Sequence, residues 1–398
     1  MNTHIIIVGG GFAGVRTALD LAHRFRHTDT IEITLISNYP FFEYYPAMYR
    51  VVTGSSPMRV QIPLGDIFEH TRVRLVHDTV ERIDTATKTV ICEGGETYVG
   101  DMLVLALGSE MNYFNIEGLE QVSFNFKSVH KALELKKHIH QLFERARPEE
   151  VDETLVALNF LVVGAGPSGV ELAGELALYA RALAQKHNIP ESFISINLIQ
   201  ASSRILPTFP EEVSARATQR LRMLGVNVLP NRTLIQGKSW TALLKDMNMG
   251  TRTIIWTAGV KTNNVFQSLV DHFEFDGKGR VIVDEYLQAK GHEHIFIAGD
   301  NAATPFSGLA QTALYDGAYI ARSIEAHVLG KKKTLYTPRP VAFDVPVGPG
   351  WAALVIGNRT FYGRLPWLVR HIIDFKFYLS ILSLPKAWRA FFARNEII

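Results

Sequence analysis

Ile5-Ile6-Ile7-Val8-Gly9-Gly10-Gly11-Phe12-Ala13-Gly14 lies near the start of the chain, and Phe160-Leu161-Val162-Val163-Gly164-Ala165-Gly166-Pro167-Ser168-Gly169 repeats its plan farther along. Each stretch joins an apolar run of strand type to a G-x-G-x-x-G turn and then to an amphipathic helix. In that setting the glycines let backbone N–H groups approach a pyrophosphate at a helix N-terminus. One such motif alone is weak evidence. Two of them, each between a strand and a helix, imply two dinucleotide sites, and hence a flavin and a nicotinamide that pass a hydride between them.

The composition agrees. With 398 residues, 47% hydrophobic and 20% charged, the chain is expected to form two to three globular domains. A net charge of +2 is too small to argue for nucleic acid as a partner. The single cysteine, Cys92, excludes an internal disulfide framework and a dithiol redox centre. The first strand begins near His4, so no secretory signal is expected, and no run of about 18 uncharged apolar residues predicts a spanning helix. The pairs His138/His140 and His292/His294 lack a third ligand at metal spacing, so no metal is expected.

Strand and helix signals alternate along the chain, which predicts an α/β fold with parallel sheets. A helix is expected from Gly14 to about His27, strands at Ile31–Ile36, Val73–Val76 and Lys88–Cys92, and a hairpin turn at Glu93-Gly94-Gly95-Glu96. Three further apolar runs leave through glycine: Met102 to Gly108, Ile254 to Gly259 and Ile295 to Gly299. Such exits mark the carboxyl ends of sheet strands, where ligands bind. Ser128 to about Arg147 has helical spacing, and the loop Phe41-Phe42-Glu43-Tyr44-Tyr45-Pro46 is placed to roof a ligand.

In motif order the chain resembles the two-dinucleotide flavoprotein reductases, and within them the type II NADH:quinone oxidoreductases. The likeness covers nearly the whole chain. It rests on Leu107 to Gly118, Val170 to Leu176, Arg204-Ile205-Leu206-Pro207, Trp256-Thr257-Ala258-Gly259-Val260, Ile297-Ala298-Gly299-Asp300 and Ala310-Gln311-Thr312-Ala313. The resemblance implies two Rossmann-like domains, one inserted in the other. Residues 1–115 and 260–337 would bind FAD, 116–259 would bind NAD(P)H, and 338–398 would serve membrane association or dimerisation. It further implies FAD contacts from Gly9, Gly11, Phe12, Ala13, Gly14, Ser37, Val80, Gly108, Asp300, Ala310 and Gln311, with Asp300 on the ribityl chain. Gly164, Gly166, Pro167, Ser168, Gly169, Glu171, Gln200, Ala258 and Gly259 would bind the nicotinamide nucleotide. Glu171, Gln311 and Tyr315 would serve the chemistry, Glu171 by relaying protons towards a quinone or, through its helix terminus, by stability alone.

Three positions depart from the family pattern. Ser37 stands where the second strand usually ends in Asp or Glu for the adenosine ribose. Gln200 stands where the nicotinamide half often has Glu; without that charge to repel a 2′-phosphate, NADPH is expected to serve within about tenfold of NADH. Tyr315 replaces the second Gln of the A-Q-x-A-x-Q motif, which puts the quinone contact in question. Cys92 alone cannot serve the cysteine chemistry of disulfide, sulfide:quinone or peroxidase-type relatives, so it is expected to pack in a strand.

From Leu368 the apolar positions Ile372, Phe375, Leu379 and Leu382 recur at helical spacing, with Arg370, Asp374, Lys376, Ser380 and Ser383 largely elsewhere on the wheel. Beyond Pro385, Trp388, Phe391 and Phe392 face away from Lys386, Arg389 and Arg394. Aromatic residues flanked by basic ones describe a helix in a membrane interface. The same stripe also fits packing on the body of the protein or in a homodimer. The expectation is a peripheral flavoenzyme on the cytoplasmic face of the cell membrane, passing electrons from NADH through FAD to a membrane quinone without pumping protons. A soluble ferredoxin- or rubredoxin-type reductase, or a flavin redox sensor, are the alternatives.

Overall fold

The side chains of Ile5, Ile6, Ile7 and Val8 are at most 1% exposed because the strand they form, β1 (Thr3–Val8), is covered on both faces, the usual cause of an unbroken apolar run. The computed structural model describes residues 2–394. After β1 come α1 (Phe12–Arg24), β2 (Ile31–Ser37), β3 (Arg74–His77) and β4 (Met102–Leu105). The chain then leaves this sheet and builds a second one from β5 (Ser123–Phe124), β6 (Asn159–Val163), β7 (Ser195–Gln200), β8 (Val226–Pro230) and β9 (Thr253–Trp256). Its longer helices are α2 (Val129–Arg145), α3 (Pro167–Lys186) and α4 (Glu211–Met223). With β10 (Ile295–Ile297) the chain returns to the edge of the first sheet beside β4, and α5 (Ala310–Val328) packs on α1.

The two sheets share one plan. Their strand orders are β10-β4-β1-β2-β3 and β5-β9-β6-β7-β8, parallel throughout. In each, the strand ahead of the glycine turn lies at the centre of its sheet, so its carboxyl end opens onto the middle of the sheet edge. The exits of β4 and β9 are tied directly to each other, because Ser109–Met111 pairs antiparallel with Val260–Thr262.

The third glycine of each turn permits this layout. A Cβ on Gly14 would lie 1.9 Å from the carbonyl oxygen of Gly9, and one on Gly169 would lie 1.9 Å from that of Gly164. Both helices therefore start in contact with the end of their own strand.

The stretch read as a loop at Phe41–Pro46 begins as a strand, Phe41–Glu43, paired with Gln61–Pro63. Tyr44 is buried and stacks on Phe377 with ring centres 4.8 Å apart, so it is a core residue rather than part of a roof. Cys92 is buried in an apolar cluster, and burial pushes its thiol up to about 11.

The C-terminal part is a three-stranded meander, β11 (Phe343–Pro346), β12 (Ala352–Ile356) and β13 (Arg359–Gly363), followed by α6 (Arg364–Ile381) and α7 (Leu384–Phe391). Here the wheel reads differently from its composition. Arg370 and Asp374, counted with the polar face, point inward with Phe377, Tyr378 and Ile381. Leu368, Ile372 and Leu379 point outward, Ile372 being 66% exposed, and Leu384 and Trp388 of the last helix, with Phe392 just beyond it, extend that exposed apolar face. Two of the expected flanking bases turn to the protein: Lys386 donates to Asp66 and Glu69 at 2.9 and 2.6 Å, and Arg389 lies 3.7 Å from Asp66. Among the described residues no helix is long and apolar enough to cross a membrane.

The close approach at the third glycines has a direct consequence. Gly169→Ala drives a methyl group into the Gly164 carbonyl and is expected to cost about 1–3 kcal/mol, the usual range for overpacking. Gly65→Ala, where a Cβ meets open space, serves as the control. Urea unfolding of both variants measures this, and an unchanged midpoint for Gly169→Ala would show that the helix start has room to move.

Candidate active site

At Gly9 and Gly164 the backbone takes φ of +113° and +104°, and an added Cβ would strike Ala106 and Ala258 at the exits of β4 and β9. The chain is thereby turned over the sheet edge into the helix. Gly11 and Gly166 are the N-caps of α1 and α3, neither helix has a side-chain cap, and nothing lies within 4 Å of where their Cβ atoms would be. The first-turn N–H groups, with the positive end of the helix dipole, thus face a cradle one Cβ would begin to fill. Phe12 and Ala13 stand at the start of one helix, Pro167 and Ser168 at the start of the other. Both places suit a diphosphate.

The exits supply the rest of the site. Gly108, Gly259 and Gly299 all have positive φ. The carboxamide of Asn301 clasps Gly108 from both sides, accepting from its N–H at 2.9 Å and donating to its carbonyl at 2.7 Å. Ser109 donates its hydroxyl proton to Asp300 Oδ2 at 2.5 Å, and Lys127 Nζ donates to Ser109 Oγ at 2.9 Å. Asp316, fully buried on α5, accepts from the Gly299 N–H at 3.0 Å and from the Tyr336 hydroxyl at 2.6 Å; burial pushes its carboxyl up to about 6. Asn301, Lys127 and Asp316 escaped the sequence reading. Only Asp316, one turn beyond the Ala310–Ala313 motif, stood where the motif pointed.

The other expected residues fall as follows. Ser37, buried at the end of β2, donates to the Tyr39 carbonyl at 2.8 Å and lies against Gly10. Val80 is buried opposite Cys92. Ala310 begins α5; Gln311 beside it donates to the Ala342 carbonyl at 2.9 Å. Tyr315 lies under the Arg339 guanidinium and beside the Tyr336 ring. Gln311 and Tyr315 thus meet the segment that leads into the meander, while Asp300 directly follows Gly299 and accepts from Ser109. Gln200 accepts from the Ala165 N–H and donates to Ser202, both at 2.8 Å, so its amide braces the second glycine turn. Arg204, the cation behind it, gives its guanidinium to the carbonyls of Leu206, Pro207 and Phe209 and to Ser214.

Glu171 belongs to a buried cluster that joins three parts of the chain. Its Oε1 lies 3.7 Å from the Arg370 guanidinium. Arg370 donates to Asp374 Oδ1 at 2.9 Å, to the Pro46 carbonyl at 2.5 Å and to the Asp344 carbonyl at 3.1 Å. Asp374 also accepts from the Tyr44 hydroxyl at 2.7 Å and faces Arg50 at 3.5 Å. Burial outweighs the pull of Arg370 and Arg50 on Glu171 and pushes its carboxyl up to about 8, so it holds its proton near neutral pH. Asp344, whose carboxylate oxygens are buried without a partner, is pushed up to about 7 for the same reason. No group of three or more His, Cys, Asp or Glu among the described residues could hold a metal ion.

A family model described as pyridine nucleotide-disulphide oxidoreductase matches residues 3–317. The type II NADH:quinone oxidoreductase Ndh of Mycobacterium tuberculosis is 30% identical over 409 residues, which cover 95% of this chain and 86% of that protein. The type II NADH:quinone oxidoreductase of Staphylococcus haemolyticus is 27% identical over 402 residues, 97% of each chain. In shape the chain is similar to NDH2 of Plasmodium falciparum, solved in complex with NADH, with a TM-score of 0.89 at 18% identity, over 98% of this chain and 97% of that one. The sulfide:quinone oxidoreductase of Aquifex aeolicus follows at 0.79 and 18%, over 95% and 91%. Two matched cradles on paired strand exits, a sequence match over almost the whole chain and a single buried cysteine that leaves no disulfide chemistry agree, and the chain belongs to the pyridine nucleotide-disulphide oxidoreductase family and, within it, to the type II NADH:quinone oxidoreductases.

Proposed function

We propose that the protein works at a membrane surface, taking electrons from NADH and delivering them through FAD to a quinone, without moving ions. The observation that carries this is the pair of uncapped glycine cradles whose strand exits are hydrogen-bonded to each other, which supports a reading in which the reactive ends of two dinucleotides meet at one junction. FAD when bound supplies the redox chemistry, taking a hydride from NADH and giving two electrons to the quinone.

The chain's own residues bind and orient. Gly11, Phe12 and Ala13 offer backbone N–H groups to the FAD diphosphate, with Gly9 and Gly14 shaping the turn. Ser37 and Val80 lie towards the adenosine end, while Gly108, Asp300, Ala310 and Gln311 lie towards the ribityl chain and ring. Residues 1–115 and 260–337 form this half. In 116–259, Gly164 to Gly169 hold the NADH diphosphate, and Gln200, Ala258 and Gly259 line its two ends. Gln200 carries no charge against a 2′-phosphate, yet Arg204 is committed to loop carbonyls, so NADPH is the weaker donor. Glu171 holds a proton at its carboxyl near neutral pH, and Arg370 beside it holds the group in place for relay towards the quinone. Gln311 and Tyr315 border the quinone entrance.

The exposed face of Leu365, Leu368, Ile372, Leu379, Leu384, Trp388 and Phe392 is the membrane contact, on the cytoplasmic side. Burying one such side chain is worth about 1.5–3 kcal/mol, so several hold the protein at a bilayer without a spanning helix. A homodimer covering the same face is the competing arrangement.

Acid treatment of the purified protein is expected to release FAD, and NADH to be oxidised steadily in the presence of a short-chain quinone, more slowly with NADPH. Reduction of the flavin without turnover would favour a redox sensor, and turnover only with a ferredoxin would favour a soluble reductase. For the membrane, Ile372→Glu combined with Leu379→Glu should lower partition onto lipid vesicles at least tenfold while NADH still reduces the flavin. Equal partition by the variant would place the contact elsewhere.

A further inference from the structure

Lys127 is a cation for which the roles above leave no task. It stands just ahead of α2, on the second-sheet side of the molecule, while its neighbours Tyr45, Ser109 and Asp300 belong to the first. Its Nζ donates to Ser109 Oγ at 2.9 Å and lies 5.2 Å from the centre of the Tyr45 ring; the Ser109 hydroxyl passes the contact on to Asp300 at 2.5 Å. No ion pair to Lys127 occurs among the described residues, and the carboxylate whose charge favours its charged form is Asp300, which accepts from the same serine. Partial removal from water works against its charge and holds its pKa below the ordinary lysine value. An ammonium has three donors, and Ser109 takes one.

Place gives this cation its meaning. Ser109 follows the β4 exit, Asp300 follows β10, and Ser109–Met111 pairs with the strand that follows β9. Lys127 therefore stands at the junction of the two cradles, where the two nucleotides must meet for a hydride to pass. That transfer needs no other reactant: the C–H bond of the dihydronicotinamide breaks, its hydrogen and electron pair move to the flavin, NAD⁺ remains, and the flavin gains one negative charge. A fixed positive charge at that place stabilises the reduced form over the oxidised one.

We propose that Lys127 is a positioning residue for the flavin, held by Ser109 against Asp300, whose positive charge sets the flavin's midpoint potential. This rests on the reading of the first cradle as the FAD site. Lys127→Met removes the charge, Lys127→Arg keeps it, and Ser109→Ala keeps the charge but removes both its tether and the hydroxyl that donates to Asp300.

The experiment is an anaerobic titration of the FAD-loaded protein and these variants against a reference dye, with FAD content measured in parallel. Lys127→Met is expected to lower the ratio of reduced to oxidised flavin at a fixed potential about tenfold or more, a shift of about 30 mV for a two-electron couple. Lys127→Arg should return it to within about threefold of wild type, and Ser109→Ala should fall between, all with FAD retained. An unchanged potential in Lys127→Met with FAD retained overturns the proposal and leaves the flavin reading intact. Loss of FAD from Lys127→Met and Lys127→Arg alike also overturns it, since charge would then not be what matters. A wild-type protein without flavin overturns both.

Discussion

The contact between a helix's first turn and the end of its own strand, at a distance no side chain allows, is the constraint on which the site depends. Gly14 and Gly169 bring α1 and α3 against the carbonyls of Gly9 and Gly164. Because both helices start over the centre of a parallel sheet, their unpaired N–H groups and dipoles converge on open space at the sheet edge. The Ser109–Met111 and Val260–Thr262 pairing then fixes one cradle against the other. The relative placement of the two cradles is thus a property of the backbone, and the side chains of the exits are built onto it.

The C-terminal helices depend on a second, polar contact. Arg370 and Asp374 bury their charges under α6, where Tyr44, Pro46, Arg50 and Glu171 reach them from both halves of the molecule. Such a network stabilises little compared with an apolar core of the same volume, but breaking one member leaves a buried charge without its partner. Its effect here is orientation. With Arg370 and Asp374 committed inward beside Phe377, which packs on Phe12 at the first glycine turn, α6 presents its aliphatic residues outward, together with Arg364, Lys376 and Ser380. The apolar surface and the nucleotide cradle are in this way held in fixed relation.

Backbone features were the legible part of the sequence. Glycines at fixed offsets after an apolar run report a local geometry, and the parallel strands, the glycine exits and the order of the motifs could be read from them. Side-chain partnerships across the fold could not. Arg370 and Asp374 counted as polar on a helical wheel because periodicity carries no information about a partner more than three hundred residues away, such as Tyr44. Arg204 ties its own loop and Gln200 braces the turn at Ala165, and neither partnership follows from the spacing of residues in the chain. Lys127 and Asn301 gave no local signal, since each matters through Gly108 or Ser109 at the exit of β4, far from it in the chain, and Asp316 had only its place one turn beyond the Ala310–Ala313 motif to mark it.

The account stands on two separate cradles, each holding one nucleotide, and binding stoichiometry tests this most directly. Equilibrium dialysis of the FAD-loaded protein against NAD⁺ should find one FAD and one NAD⁺ per chain, and Gly166→Val, which fills only the second cradle, should abolish NAD⁺ binding while FAD remains at one per chain. Loss of both nucleotides together, or NAD⁺ binding untouched by the substitution, would contradict it.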